Sequence, residues 1–177
     1  FTLDFTFPQN IFWYKNTSVE DGFGCDSLHF ILENQCWGQI QETGDSSKVN
    51  FSPSTDSCIN NPWYMQAVGN NFERNGGRNP RHIGANITTI DVDGDSIKEL
   101  FLGGVTFNNL NKVSGIEIND TLLMGQQDIY FPSYDKPVDL YTFVATFFLD
   151  VNNDGLTDML VCPSETGVGE AMMDTVS

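Results

Sequence analysis

The stretch Asp91–Glu99 (DVDGDSIKE) has a second copy at Asp150–Asp158 (DVNNDGLTD), and this pair of segments decides how the chain folds. In each copy an oxygen-bearing side chain stands at the first, third, fifth and ninth positions, and an apolar residue stands at the seventh. Calcium binds six to eight oxygens from carboxylates, amides, backbone carbonyls and water, and a tight loop brings alternate side chains onto one point. Each copy is therefore predicted to hold one calcium ion.

The predicted ligands come from the same positions in both copies. Those of the first ion are the side chains of Asp91, Asp93, Asp95 and Glu99 and the backbone carbonyl of Ile97. Those of the second ion are the side chains of Asp150, Asn152, Asp154 and Asp158 and the backbone carbonyl of Leu156. Carboxylates crowded together repel one another unless a cation lies among them. The two calcium ions are therefore predicted to be part of the fold.

The sequence around the two loops predicts β-hairpins. An EF-hand needs a bidentate glutamate at position twelve and a helix on each side of its loop, but position twelve is Leu102 in one copy and Val161 in the other. Short β-branched and aromatic runs flank both loops, and such runs are typical of strands. Calcium-binding hairpins are thus predicted over residues 86–104 and 143–163.

The rest of the chain also predicts strands, and no segment shows a sustained helical period. The fold class is therefore predicted to be all-β. The remaining strand candidates are 1–7 paired with 11–14, then 28–32, 36–40, 49–51, 113–118 and 122–124, with a turn at Asn119–Asp120.

The first aspartates of the two copies, Asp91 and Asp150, are 59 residues apart, which is a period near those of propellers and repeat arrays. The strings TTIDVDGDSIKELFLGG and TFFLDVNNDGLTDMLVCP, which contain the copies, resemble the FG-GAP or VCBS repeat, whose calcium-binding blades build β-propellers. The wider pattern is similar to secreted propellers of Bacteroidota that leave the cell by type IX secretion. That pattern includes IFWYKNTS, ENQCWGQIQE, NPRHIGA, FNNLNKV and FPSYDKPVDLYTF.

This resemblance implies that residues 1–177 form part of one β-propeller domain, with about three blades of which the first and last are incomplete. Because closed propellers generally need four to eight blades, the chain is expected to be a piece of a longer protein or to obtain blades from another chain. The resemblance further implies a secreted or cell-surface protein with a binding or adhesion role. Its expected partners are an extracellular protein or a glycan, and the type IX secretion machinery or other outer-membrane proteins. A lectin and the propeller domain of a secreted polysaccharide-degrading enzyme are the alternatives.

Two departures from the repeat pattern concern the loops. Gly155 stands at the sixth position of the second copy, where the residue commonly takes a positive φ, but the first copy has Ser96 there and Gly94 two places earlier. The second copy has Asn152 in place of an acid. The first departure alone would distort or weaken the first site, but the two departures together do not rank the two sites in affinity.

The net charge of −16 excludes a nucleic-acid-binding surface, which needs a basic face. Two calcium ions would bring this charge to −12, and the remaining acidic, Asn-rich and Gly-rich surface favours an extracellular protein with neutral or cationic partners. The sequence shows no signal peptide, transmembrane run or sorting tail. Targeting information is therefore expected to have been removed or to lie outside this chain.

Catalytic candidates are weak, and a non-enzymatic role is favoured. His29 and His82 are interpreted as structural hydrogen-bonding residues, and the dense carboxylates are already assigned to calcium. The aromatic residues that could stack on sugars are interpreted as packing residues, and they are Trp13, Trp37, Trp63, Tyr64 and Tyr134. Four cysteines allow three pairings; an oxidising compartment favours disulfides, and Cys36 with Cys58 is the preferred pair.

Overall fold

The computed structural model describes residues 10–42, 47–52, 85–105, 107–141 and 143–163. These residues contain ten strands, one 3-10 turn and no α-helix, so the predicted all-β class is confirmed. The predicted strand at 1–7 and the residues His82, Trp63, Tyr64 and Cys58 lie outside the described ranges. The strands are β1 (Trp13–Asn16), β2 (Phe30–Asn34), β3 (Ile40–Glu42), β4 (Val49–Phe51), β5 (Ala85–Ile90), β6 (Glu99–Gly104), β7 (Leu110–Ile118), β8 (Thr121–Asp128), β9 (Val144–Leu149) and β10 (Asp158–Pro163).

The largest sheet is a four-stranded antiparallel meander in the order β5-β6-β7-β8. The first loop joins β5 to β6, and Ile90 pairs with Glu99 where the loop leaves the sheet. The turn between β7 and β8 has its two central residues, Asn119 and Asp120, at φ values of 50° and 59°. Two consecutive left-handed residues match the right-handed twist of a hairpin, and Asn and Asp tolerate this conformation well. The turn therefore lies where the sequence predicted it.

The second loop joins β9 to β10 in a separate two-stranded antiparallel sheet. Here Leu149 pairs with Asp158, so this hairpin has the same register at its loop as the first hairpin. The strands β1 with β2 and β3 with β4 form two further antiparallel pairs. None of the sheets in the described ranges closes on itself, and the arrangement into blades stays a prediction.

The segment 36–40 differs from its predicted strand. Residues Trp37–Gln39 form a 3-10 turn, and the strand begins only at Ile40. Gly38 and Gln39 have φ values of 73° and 55°, which are incompatible with an extended strand. A Cβ on Gly38 would lie 2.9 Å from the Met124 side chain, so close packing on β8 accounts for the turn.

Strand β6 lies at the centre of the fold, because all six of its residues are buried. Alternate side chains of a strand point to opposite faces. One cluster therefore contains Leu100 and Leu102 of β6, with Ile40, Val49, Val113 and Met124. The other contains Phe101, with Leu110 and Val144. The four-stranded sheet is thus the middle layer, with β3 and β4 on one face and β9 and β10 on the other.

The second hairpin packs closely on the first. The carbonyl oxygen of Val144 would lie 1.8 Å from a Cβ added to Gly103, so the two backbones approach more closely than a side chain allows. The Thr88 hydroxyl donates a hydrogen bond of 2.9 Å to the Thr146 carbonyl. The ring of Phe101 lies 4.8 Å from that of Phe148, measured between centroids. These contacts join two hairpins whose sequences are copies of one another.

Two side-chain amides of the central sheet form hydrogen bonds to the layer that contains β3 and β4. Gln127 on β8 accepts a hydrogen bond of 3.1 Å from the Val49 N–H and donates one of 3.0 Å to the Val49 carbonyl. The buried Asn111 amide donates a bond of 2.8 Å to the Ser47 carbonyl. Side chains of the central sheet therefore satisfy backbone groups of the buried residues Val49 and Ser47, as buried polar groups require.

Cys36 is disulfide-bonded, whereas Cys25 and Cys162 are free and exposed. The preferred partner of Cys36, Cys58, lies outside the described residues. In the part of the chain that the structure describes, no helix has the length and apolarity needed to cross a membrane.

Candidate metal centre

The first loop is organised by its own carboxylates. Asp91 accepts hydrogen bonds of 2.7 Å from the Gly94 N–H and 2.9 Å from the Ser96 N–H. Glu99, at the far end of the loop, accepts a bond of 3.0 Å from the Val92 N–H. Because the backbone N–H groups turn inward to these oxygens, the loop draws the side chains of its first and ninth positions together.

The second loop repeats this arrangement 59 residues later. Asp150 accepts a bond of 2.8 Å from the Gly155 N–H, and Asp158 accepts one of 2.9 Å from the Val151 N–H. Each of these bonds has its counterpart at the same two positions of the first loop. Two segments that differ at six of nine residues therefore fold into one loop type.

The fifth position makes an equivalent bond in both loops. Asp95 accepts a hydrogen bond of 2.7 Å from the Ile97 N–H, and Asp154 accepts one of 2.8 Å from the Leu156 N–H. The bond from the Leu156 N–H, with a second from the Asn152 side chain, lowers the pKa of Asp154 below its usual value. Hydrogen bonds that favour the charged form lower a carboxyl pKa in this way, so Asp154 is held as a carboxylate, the form that binds a cation.

Both loops have left-handed residues at the fourth and sixth positions. The φ values are 81° at Gly94 and 72° at Ser96 in the first loop, and 60° at Asn153 and 85° at Gly155 in the second. Ser96 therefore adopts the conformation that the repeat pattern assigns to glycine, and the first loop keeps the hydrogen bonds of the second. The difference at the sixth position appears as backbone strain at Ser96, because a residue with a Cβ is disfavoured there.

We predict that Ser96→Gly stabilises the protein by about 1 kcal/mol, since glycine takes a positive φ without steric cost. Asn153→Gly is the matched control in the second loop. Asn tolerates the left-handed region, so we expect the control to change the free energy of unfolding by less than about 0.5 kcal/mol. Urea unfolding at one fixed calcium concentration measures both variants. A destabilised Ser96→Gly protein would contradict the assignment of strain to this residue.

Three carboxylates of the first loop converge. Ligand oxygens of Asp91, Asp93 and Glu99 all lie within 4.8 Å of one another, which is close enough for one ion to contact all three. The Glu99 side chain is only 3% exposed, and an isolated buried carboxylate is costly unless it is paired with a cation. Asp95 belongs to the predicted ligand set but not to this cluster. The cluster could hold a metal ion, and its geometry does not identify which one.

The acids of the second loop form no such group within the described ranges. The Asn152 amide donates a bond of 2.9 Å to Asp154 Oδ2, so the third and fifth positions face one another. The Asn152 amide oxygen accepts a bond of 3.0 Å from the Asp154 N–H.

Lys112 of β7 is a charged neighbour that the loop motif does not reveal. Its Nζ lies 3.9 Å from Glu99 Oε1 and 6.0 Å from the centre of the Phe131 ring. The Lys112 side chain is 20% exposed. Glu99 lies on β6 and Lys112 lies on the neighbouring strand β7. Only the pairing register of these two strands brings the two side chains together.

A groove of about 470 Å³ runs from the acids of the first loop across β7 and β8, with Lys112 in its wall. A second groove, of about 270 Å³, also contains Lys112 and extends to Phe131 and Tyr134. Tyr134 is 83% exposed, and its ring stands edge-on to Phe131 at 6.2 Å. Of the aromatic residues considered for sugar stacking, Tyr134 is therefore available at the surface, in a groove that shares Lys112 with the groove of the first loop.

His29 lies in a hydrogen-bonded loop between β1 and β2. Its Nδ1 is 2.7 Å from Asp21 Oδ2 and 3.1 Å from Thr17 Oγ1. Hydrogen bonds from Thr17 and then His29 lower the pKa of Asp21. A Ser/His/Asp-type relay needs the acid and the hydroxyl on opposite ring nitrogens, whereas here both contact the same nitrogen. This geometry fits a structural histidine.

Fold and site together define an all-β protein that carries a partly buried acidic cluster suited to a cation. Comparison with protein-family models, with curated proteins and with solved structures finds no match to the chain.

Proposed function

We propose that the chain is part of a calcium-stabilised β-propeller of the FG-GAP or VCBS type, which works outside the cell as a binding or adhesion protein. The observation that carries the proposal is the equivalence of the two loops. They share the bonds to their first, fifth and ninth positions and both left-handed positions, although they are 59 residues apart. A loop that recurs with the same hydrogen bonds to its acidic side chains points to a repeated ligand.

The sheet arrangement supports a propeller. A propeller blade is a four-stranded sheet, and neighbouring blades pack face to face. The meander β5-β6-β7-β8 has this strand number, and β9 with β10 copies its first two strands and packs on its face. One blade per 59 residues would place each calcium loop between the first two strands of its blade.

Calcium is the ion that fits the predicted ligand set. The set mixes carboxylates, one amide oxygen and backbone carbonyls on a flexible loop, which suits the six to eight ligands of calcium better than the rigid octahedron of magnesium. The residues that would hold the first ion are Asp91, Asp93, Asp95, Glu99 and the carbonyl of Ile97. Those that would hold the second are Asp150, Asn152, Asp154, Asp158 and the carbonyl of Leu156.

A binding role is favoured over catalysis. The convergent carboxylates found among the described residues lie in the first loop, and the ring nitrogen of His29 that contacts Asp21 also contacts Thr17. The acidic surface fits an extracellular location, and export by type IX secretion and an outer-membrane partner remain parts of this proposal. The ions would lock the hairpins, and the remaining loops would present the recognition surface.

Thermal unfolding tests the calcium part of this proposal. We predict that calcium raises the midpoint of the chelated protein, because an ion that binds only the folded state stabilises it. The double variant Asp150→Ala, Asp154→Ala should lose part of that rise, and Asp91→Ala, Asp93→Ala another part. Asp135→Ala, outside both loops, is the control and should keep the full rise. A parent protein with no calcium-dependent rise would contradict the proposal.

A lectin is the second candidate, because exposed Tyr134 lines the smaller groove. Aromatic faces stack on sugar rings, and the side chains of Ser114 and Gln126 in the same groove can hydrogen-bond hydroxyl groups. A glycan array probed with the parent and with Tyr134→Ala tests this role. Turnover of acidic polysaccharides would instead favour the polysaccharide-degrading enzyme.

A further inference from the structure

We infer that Lys112 is a counterion of the first loop and lies beside Glu99 when calcium is absent. Its charge makes the first loop the weaker and more readily exchanged of the two calcium sites. This inference rests on the proposed calcium function. Lys112, which is not itself a calcium ligand, would thereby determine which of the two loops binds calcium more tightly.

The geometry of Glu99 provides the first step. Its side chain is 3% exposed, and a carboxylate removed from water needs a compensating charge. The Val92 N–H and the Lys112 ammonium, 3.9 Å from Oε1, provide this compensation in the absence of an ion. Lys112 therefore stabilises the ion-free loop, in the role that calcium would otherwise fill.

The second step concerns the calcium-bound loop. Glu99 belongs to the convergent cluster, so an ion held there would lie within a few ångströms of Lys112. Two positive groups that share one carboxylate repel each other, and in a partly buried site this repulsion is only partly screened. The Lys112 side chain borders two open grooves, so its ammonium can move away from the ion, but calcium must displace it.

Among the described residues, no lysine or arginine forms an ion pair with an acid of the second loop. The residue 59 positions after Lys112 is Ala171, which has no charge and lies outside the described residues. The counterpart of Glu99 is Asp158, whose side chain is half-buried and accepts a bond from Val151. Calcium at the second loop would therefore displace no paired cation of the described residues, and we expect the second loop to be filled first.

Calcium titration calorimetry on one loop at a time tests this inference. The background variant Asp150→Ala, Asp154→Ala removes two ligands of the second site, and Lys112→Met and Lys112→Arg are compared in that background. Methionine keeps the apolar stem beside Phe131 without the charge, so we expect calcium to bind about tenfold more tightly, or about 1.4 kcal/mol. Arginine keeps the charge, and we expect its affinity to lie within about twofold of the lysine form.

The outcomes separate the inference from the proposed function. Calcium binding that is equally tight or weaker in Lys112→Met would overturn the role of Lys112 and leave the calcium site itself in place. An absence of calcium binding in all three proteins would overturn both the first site and this inference.

Thermal unfolding of Lys112→Met in the otherwise unchanged chain provides an independent readout. After chelation the variant should unfold at a lower temperature than the parent, because Glu99 has lost its counterion. Its calcium-induced rise in midpoint should be larger than that of the parent. A residue with only a packing role would lower the midpoint equally with and without calcium, and that result would contradict the inference.

Discussion

Gly103→Ala is expected to destabilise the protein by about 3 kcal/mol, which is the upper end of the usual cost of overpacking. A Cβ at this position would lie 1.8 Å from the Val144 carbonyl oxygen and 2.7 Å from its carbon. Backbone atoms cannot rotate away as the end of a side chain can. The second hairpin would have to move away from β6, and Phe101 would lose its contacts with that hairpin.

Gly125→Ala is the matched control, because Gly125 also lies within a strand and has no atom within 4 Å of an added Cβ. We expect this variant to remain within about 1 kcal/mol of the parent. Urea unfolding at fixed calcium measures both. Equal stability of the two alanine variants would mean that the second hairpin does not pack on β6 as described.

Phe101→Ala is expected to cost about 3–5 kcal/mol, the range for a buried phenylalanine replaced by alanine. Phe101 is 1% exposed, and its ring contacts those of Phe131 and Phe148 at 5.3 and 4.8 Å. The substitution would leave a cavity between the central sheet and the second hairpin. Because both sides of this interface are rigid strands, little of the cavity can collapse.

Phe147→Ala provides the matched comparison for Phe101→Ala. Phe147 lies on the second hairpin, but its side chain is 56% exposed on the outer face. We expect it to cost less than about 1 kcal/mol, as surface substitutions usually do. A loss of stability at Phe147 comparable to that at Phe101 would show that its outer face is also packed in solution.

The all-β class could be predicted because its signals are local. Short β-branched and aromatic runs alternate with turn residues, and Asn119–Asp120 adopts the left-handed pair that such a turn requires. The strands on both sides of each loop lie within two residues of the bounds drawn from the sequence. Loop spacing also predicted that Asp91, Asp93 and Glu99 would converge.

Other features depend on contacts between distant parts of the chain. The turn at Trp37–Gln39 follows from the packing of Gly38 on Met124, which no local pattern encodes. Lys112 reaches Glu99 only through strand pairing. The pairing of β1 with β2 was not predicted, because alternating apolar runs show that a strand exists but not which strand it pairs with.

The central claim is that two equivalent loops bind two calcium ions, and calorimetric titration of the chelated protein with calcium tests it most directly. We predict two bound ions for the parent and one for each of the double variants Asp91→Ala, Asp93→Ala and Asp150→Ala, Asp154→Ala. Magnesium at the same concentration should bind more weakly. A parent protein that binds no calcium, or binding that neither variant reduces, would contradict the claim.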